Sequence, residues 1–106
     1  MAYRVDFAES AGKDLFDIYY FIAINDSFAV ADKVVSKIKK TCYTLSDYPM
    51  RGHCPKEVKN TLPELLEIIC KPYRIIYEVK NNTVQILFVI DGRRDVIKVL
   101  ERRFLR

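Results

Sequence analysis

Three consecutive apolar runs in the second half of the chain constrain its fold more than any other feature. They are LLEIIC at residues 65–70, YRIIYEV at 73–79 and VQILFVI at 84–90. Each is a strand candidate by its length and its content of β-branched and aromatic residues. Asn81 and Asn82, which separate the last two runs, are of a residue type that tolerates the positive φ of a two-residue hairpin turn. The sequence therefore predicts an antiparallel meander of three strands.

Two helix-like segments precede this meander. The opening YRVDF alternates and predicts a short strand, after which apolar residues recur at helical spacing over residues 8–24. A second helical stripe runs to about Asp47 and stops before Pro49, and Asp26 or Ser27 is its expected N-cap. The tight link between the two segments predicts an antiparallel helical hairpin.

The end of the chain predicts one more helix, whose apolar side is Val96, Val99, Leu100 and Phe104. The elements together predict an α+β fold in the order β-α-α-β-β-β-α. In this fold an antiparallel sheet packs against the N-terminal helical hairpin, a short helix ends the chain, and helices cover one sheet face. Because 106 residues suffice for one hydrophobic core and not for two, we expect a single domain over residues 1–106.

Composition excludes several classes of protein. Half of the residues are apolar and 30% are charged, which is typical of a globular protein. No apolar run approaches the roughly 18 residues of a membrane span, and MAYRVDFAES lacks the apolar part of a signal peptide, so we expect a cytoplasmic protein with no membrane contact. Cys42, Cys54, Cys70 and the single His53 do not have the spacing of a zinc site or a disulfide framework, so we expect neither metal nor cofactor.

The surplus of positive charge is concentrated at the end of the chain. Residues 1–92 carry 12 basic and 12 acidic side chains, whereas residues 93–106 carry six basic side chains against two acidic ones. Two of the six fall on the opening turn expected for the last helix, and three of them recur every four residues as a basic ridge. Such a ridge binds phosphate groups or an acidic partner, or it is a solvated helix face. The six are Arg93, Arg94, Lys98, Arg102, Arg103 and Arg106, and the ridge is Arg94, Lys98 and Arg102.

Four short segments carry a resemblance to a known family. They are YRVDFAESAGKDLFDI, LSDYPMRG, YRIIYEV and ILFVIDGRRD, and together they span nearly the whole chain. In this order and spacing they resemble the RelE/ParE superfamily of bacterial type II toxin–antitoxin modules, which includes plasmid stabilisation proteins. The resemblance implies the fold predicted above and a growth-inhibiting toxin. RelE-type members cleave mRNA on the ribosome and ParE-type members inhibit DNA gyrase, so the fold alone does not decide the target.

Cleavage of RNA requires a base, an acid and cations around one phosphate. By the resemblance, Arg74 and Arg94 match the two arginine positions of RelE-type toxins. The lysines that those toxins carry on the preceding strand are absent, and Glu67 is the one charged residue there. Val99 and Leu100, which cannot transfer a proton, stand where the resemblance calls for an aromatic or histidine side chain.

The remaining candidates for the acid and base are few. Glu67 or Glu78 offers a carboxylate, and His53 or Tyr77 offers a proton donor. Glu78 shares a strand face with Arg74, which fits either an active-site pair or a simple ion pair, whereas Tyr77 is on the opposite face and is expected in the core. The incomplete set favours a ParE-like inhibitor of gyrase. The alternatives are a RelE-like, ribosome-dependent mRNA endoribonuclease and a degenerate, non-toxic member that binds its antitoxin.

The resemblance also implies partners. A cognate antitoxin holds the toxin inactive in a hetero-oligomer, and the first helix offers it four aromatic residues, more than one helix can bury against its own sheet. For two of the four, burial in the toxin's own core is the alternative. These are Phe16, Tyr19, Tyr20 and Phe21. The expected target-binding or phosphate-binding residues are Arg74, Arg93, Arg94, Lys98 and Arg102. For Arg74 a structural role is the alternative, in which it holds the C-terminal segment or pairs with a carboxylate of the antitoxin.

Overall fold

A computed structural model describes residues 2–104 and contains a four-stranded mixed sheet. The three predicted strands form the antiparallel meander, as β2 (Leu66–Cys70), β3 (Tyr73–Lys80) and β4 (Thr83–Asp91). The opening strand β1 (Arg4–Phe7) adds to the far side of β4 in parallel orientation, which gives the strand order β1-β4-β3-β2. This parallel pair joins residues far apart in sequence, and the prediction of an antiparallel sheet did not include it.

The turn between β3 and β4 is the predicted two-residue hairpin. Asn81 and Asn82 have φ values of 50° and 63°, the positive values for which asparagine is suited. The pairing of β3 with β4 shifts between Ile76 and Tyr77, since Ile76 pairs with Phe88 but Tyr77 pairs with Ile86. One residue of β4 is therefore left out of the ladder as a β-bulge.

The predicted helical hairpin consists of α1 (Glu9–Asn25) and α2 (Phe28–Tyr43). Ser27 is the N-cap of α2, because its hydroxyl accepts a hydrogen bond from the N–H of Val30 at 3.1 Å. The second helix ends earlier than residue 47, since the segment Thr44–Ser46 tightens into a 3₁₀ turn.

Helical segments cover both faces of the sheet, whereas the sequence predicted that they cover only one face. The hairpin packs on one face, where Ile38 of α2 meets Ile75 and Tyr77 of β3 and Ile86 of β4 in the main core. The final helix α3 (Val96–Phe104) and a short 3₁₀ turn (Lys56–Val58) pack on the other face. The apolar positions predicted for α3 account for this second core, in which Val96, Val99 and Leu100 are buried against the sheet.

The start of α3 differs from the prediction. The helix begins at Val96, so Arg93 and Arg94 lie in the turn before it and not on its opening turn. Asp95 precedes the helix and accepts a hydrogen bond from the N–H of Lys98 at 3.2 Å, which is the role of an N-cap. The helix thus begins with a carboxylate at the end where its dipole favours negative charge, and the two arginines lie outside its first turn.

A loop without regular structure crosses the outer edge of β2 and is held there by Tyr77. The buried hydroxyl of Tyr77 donates to the carbonyl of Pro49 at 2.9 Å and accepts from the N–H of Gly52 at 3.0 Å. A Cβ at Gly52 would lie 2.5 Å from that hydroxyl, so the close approach requires glycine. His53 and Glu67 then exchange two backbone hydrogen bonds, which fixes His53 beside the sheet.

Candidate functional site

Arg74 lies at the centre of an ion-pair cluster on the α3 side of the sheet. Its Nε and Nη2 donate to Glu67 at 2.6 and 2.9 Å, and its Nη1 and Nη2 donate to Glu57, both at 2.8 Å. Both carboxylates are therefore held in the two-pronged geometry that arginine favours. The side chain of Arg74 is 15% exposed, and those of Glu57 and Glu67 are 10% and 5% exposed.

Three elements bring this cluster together. Arg74 extends from β3, Glu67 from the neighbouring β2, and Glu57 from the 3₁₀ turn that packs beneath α3. Gly92 completes the enclosure, because a Cβ there would lie 2.9 Å from the carbonyl of Pro72 and 3.3 Å from Cγ of Arg74. The arginine holds the pKa of Glu57 below its usual value, and the hydrogen bonds that Arg74 donates to both glutamates raise its own pKa.

Of the other catalytic candidates, the structure brings His53 to this cluster and leaves Glu78 out of it. The Nε2 atom of His53 lies 3.3 Å from a carboxylate oxygen of Glu67, although the imidazole itself is exposed. Glu78 does not pair with Arg74, although the two residues share a face of the strand. Its carboxylate lies 3.9 Å from Nζ of Lys80, and Arg74 is saturated by the two other glutamates.

Two predictions on buried residues of the sheet and α3 hold. Tyr77 is fully buried in the main core, where burial raises its pKa, and its hydroxyl serves the loop at Pro49 and Gly52. Val99 and Leu100 are 5% and 2% exposed and pack against the sheet. Among residues 2–104, no three or more His, Cys, Asp and Glu side chains are placed to hold a metal ion together.

Glu57 is the member of the cluster that sequence reasoning missed. It lies in a stretch rich in proline and without apolar periodicity, so no pattern indicated that its side chain would face inwards. The one local signal is its position. Glu57 comes two residues after Pro55 and directly before Val58, which is buried.

The basic residues at the end of the chain fall into three groups. Arg93 is paired with its neighbour Asp91, with Nε and Nη2 at 2.9 and 2.7 Å from the carboxylate, and it lowers the pKa of that carboxyl group. Arg103 points into the protein. Three more are exposed and, among residues 2–104, are in no ion pair; these are Arg94, Lys98 and Arg102, which we call the α3 basic surface. Arg106 lies outside the described residues.

A polar clasp fastens α3 to the rest of the protein. The Nη2 atom of Arg103 donates to Asp14 of α1 at 2.6 Å, and its guanidinium carbon lies 4.9 Å from the ring centroid of Phe88. Asp14 is buried and also accepts the N–H of Val89 at 2.9 Å, on the stretch of β4 that β1 does not reach. Two members of the α3 basic surface, Lys98 and Arg102, are thus presented by a helix in a fixed position, and Arg94 lies in the turn that leads into it.

The aromatic residues of α1 are largely unburied, so the sheet does not cover all four of them. Phe16 and Phe21 are 65% and 67% exposed, and Tyr20 is 58% exposed with its ring stacked on that of Phe16 at 6.2 Å. Tyr19 is half-buried, with its ring 6.5 Å from that of Phe28 and its pKa raised chiefly by the neighbouring Asp32. These residues form an exposed aromatic cluster, a feature that is common at interaction surfaces.

Comparisons with known proteins point to one family. Residues 5–96 match the model of the ParE toxin of type II toxin–antitoxin systems, parDE. Toxin ParE3 of Caulobacter vibrioides is 24% identical over 90 residues, which cover 85% of this chain and 87% of that protein.

Solved structures of toxin–antitoxin proteins have the same fold. A chain of the chromosomal ParDE system from P. aeruginosa superposes with a TM-score of 0.73 at 20% identity, covering 85% of this chain and 96% of that one. A chain of the RelBE2 toxin–antitoxin complex from Mycobacterium tuberculosis superposes with a TM-score of 0.66 at 21% identity, covering 86% and 92%. Across residues 2–104, no helix has both the length and the apolar character needed to cross a membrane.

Proposed function

The chain belongs to the ParE toxin family of type II toxin–antitoxin systems, and we propose that it inhibits growth by acting on DNA gyrase without cleaving RNA. In this proposal the toxin works in the cytoplasm, where it contacts its target through the α3 basic surface. A cognate antitoxin neutralises it in a hetero-oligomer.

The state of Arg74 carries this proposal. An RNA-cleaving site needs cations that are free to bind a phosphate as its negative charge increases. Four hydrogen bonds tie Arg74 to two carboxylates, so the cluster has more negative than positive charge and repels a phosphate. Val99 and Leu100 supply neither acid nor base, which agrees with a toxin that performs no chemical step of its own.

One observation favours the RelE-like alternative. His53 lies beside Glu67, which in turn contacts Arg74, so an imidazole, a carboxylate and a guanidinium are within one cluster. If mRNA bound on the ribosome displaced Glu57 from Arg74, these groups would supply an acid, a base and a cation. We place this second because Glu67 is buried and already committed to Arg74.

The antitoxin is the partner proposed for the aromatic face of α1. The similar structures include a ParDE system and a RelBE2 complex, both named as toxin–antitoxin assemblies. Phe16, Tyr20 and Phe21 leave most of their area in water, and covering them yields roughly 25 cal/mol for each Å² of apolar surface buried.

Induced expression in bacterial cells separates the candidate functions. We expect filamentation and a DNA-damage response from the wild type and from His53→Ala. The triple variant Arg94→Gln, Lys98→Gln, Arg102→Gln is expected to lose toxicity, because it removes the charge of the α3 basic surface. A matched triple variant of α2, Lys33→Gln, Lys37→Gln, Lys40→Gln, controls for loss of charge alone.

Two other outcomes contradict the proposal. Rapid arrest of translation with cleaved mRNA, lost in His53→Ala, supports the RelE-like alternative. Normal growth of cells that accumulate the folded wild type indicates the degenerate member.

A further inference from the structure

The side of α3 that faces away from the sheet is divided into two stripes of different character. Lys98 and Arg102 are one helical turn apart and lie on one line along the helix, and Arg94 precedes them in the turn before it. A second line, at helical spacing, consists of Ile97, Glu101 and Phe104. This second line borders a cleft of about 460 Å³ between α3 and the 3₁₀ turn. The α3 basic surface is therefore a stripe separate from the cleft.

No carboxylate forms an ion pair with the α3 basic surface within residues 2–104. Residues 93–104 include two acidic side chains, and both have other positions. Asp95 accepts the N–H of Lys98 at the start of the helix, and Glu101 lines the cleft. Arg93 and Arg103, by contrast, each have a carboxylate partner. Three neighbouring cations are thus left without a countercharge, which a polyanion would supply.

The composition of the α3 basic surface favours phosphate groups over the acidic surface of a protein. A protein–protein interface normally has an apolar core with a polar rim. The exposed apolar side chains of α3, Ile97 and Phe104, both line the cleft, so the basic stripe has no such core within residues 2–104. A polar and strongly positive surface is typical of contacts with nucleic acids. Two of its three cations are arginines, and a guanidinium group can bind one phosphate through two N–H groups.

The fold holds Lys98 and Arg102 in position before any partner binds. Val96 and Leu100 are buried against the sheet, and Nη2 of Arg103 donates to Asp14 at 2.6 Å. The two cations are about 6 Å apart along the helix axis, and each strand of DNA has a phosphate about every 3.4 Å of its own axis. Each cation can therefore reach a phosphate of its own. Because α3 is already ordered, little conformational freedom is lost on binding.

We propose that the α3 basic surface binds the phosphate backbone of duplex DNA, so that the toxin engages gyrase together with the DNA that the enzyme holds. The inference rests on the proposed function, since it names the part of the target that this surface contacts. Asn, Gln, Ser and Thr, which commonly bind base edges, are absent from residues 93–104. The contact is therefore to phosphates and does not depend on the DNA sequence.

The salt dependence of DNA binding counts the phosphates that the surface contacts. The probe is a short, fluorescently labelled DNA duplex of arbitrary sequence, and its binding to the full chain is followed by anisotropy at a series of salt concentrations. The triple variant Arg94→Gln, Lys98→Gln, Arg102→Gln is expected to make the slope of log K against log salt shallower by about 2.7, which corresponds to three phosphates. Its affinity in low salt should fall at least about tenfold. A second duplex of unrelated sequence should bind the wild type equally well.

Two further variants separate the position of the charge from its amount. Lys33→Gln, Lys37→Gln, Lys40→Gln removes the same charge from α2 and is expected to stay within about threefold of the wild-type affinity. Arg94→Lys with Arg102→Lys keeps the charge of the α3 basic surface and is expected to keep the slope. Polyglutamate at an equal concentration of negative charge should displace the duplex poorly. Equal displacement would indicate a general attraction for anions and would overturn the inference.

The failures of the inference and of the proposed function are distinguishable. If the wild type blocks supercoiling and the triple Gln variant of the α3 basic surface does not, but the two bind the duplex with the same affinity and slope, the surface contacts gyrase itself. This inference alone is then overturned. If the wild type binds the duplex through the α3 basic surface but leaves gyrase unaffected, the proposed action on gyrase is overturned and the contact with DNA stands.

Discussion

Arginine has four different environments in the second half of this chain. Arg74 is enclosed between two glutamates, Arg93 is paired with the aspartate beside it, Arg94 is free of ion pairs within residues 2–104, and Arg103 is directed inwards to a buried carboxylate. The sequence showed cations at each of these positions but not their partners. Glu57 and Asp14, which determine two of these environments, lie 17 and 89 residues away along the chain, where no periodic pattern connects them.

Substitution of Arg74 is expected to affect stability far more than that of Arg94. Arg74→Ala leaves two largely buried carboxylates without their cation, which we expect to lower the free energy of unfolding by about 2 to 4 kcal/mol. Arg94→Ala, at an exposed position, should change it by less than about 0.5 kcal/mol. Urea unfolding followed by circular dichroism measures both.

A second substitution controls for the cause of that loss. Adding Glu67→Gln to Arg74→Ala removes one of the uncompensated charges and should restore part of the lost stability. Equal, small effects of Arg74→Ala and Arg94→Ala would contradict the structural role of Arg74 and revive its role as a phosphate ligand.

Among the elements, α3 depends most on contacts with its neighbours. A helix of nine residues is too short to be stable alone in water, so its packing and the clasp at Arg103 hold it in place. Side chains of α1 also bond backbone groups of β4 that β1 does not pair with. Asp14 accepts the N–H of Val89, and Ser10 donates its hydroxyl to the carbonyl of Leu87 at 2.7 Å. These side chains of α1 thus supply hydrogen bonds that a longer β1 would have made to that part of β4.

A double-mutant cycle measures the coupling within the clasp. We expect Arg103→Ala and Asp14→Asn each to lower the free energy of unfolding by about 1 to 3 kcal/mol, and the double variant to lose about 1 kcal/mol less than their sum. Arg102→Ala, the exposed neighbour, is the control and should cost less than about 0.5 kcal/mol. Additive losses in the cycle would show that Arg103 and Asp14 act independently.

Local periodicity explains which elements the sequence revealed. The meander and the helical hairpin were predicted because their apolar residues repeat at the spacing of strands and helices, and because asparagines mark the β3–β4 turn. The parallel pairing of β1 with β4 was not predicted, because it depends on tertiary packing. The start of α3 was placed too early, because Arg93 and Arg94 suit a helix as well as a turn, and only the cap geometry of Asp95 separates the two.

On the scale of the whole molecule, the two surfaces proposed for binding are on different sides of the sheet. The hairpin with its aromatic face covers one side, and α3 with its basic surface covers the other. The Arg74 cluster lies between β2, β3 and the 3₁₀ turn, where its charged groups form ion pairs with one another. The resemblance to the superfamily supplied the fold and the class of protein, whereas the separation of these surfaces could not be inferred before the strands were placed.

Purified components test directly whether the protein acts on DNA gyrase or on mRNA. Relaxed plasmid, ATP and DNA gyrase are incubated with the toxin, and supercoiling is followed on agarose gels, while a parallel reaction follows an mRNA in a reconstituted translation system. We expect the wild type and His53→Ala to block supercoiling and to leave the mRNA intact. The variant with Arg94, Lys98 and Arg102 all changed to Gln is expected to affect neither supercoiling nor the mRNA. Unchanged supercoiling together with ribosome-dependent cleavage of the mRNA would contradict the proposed action on gyrase.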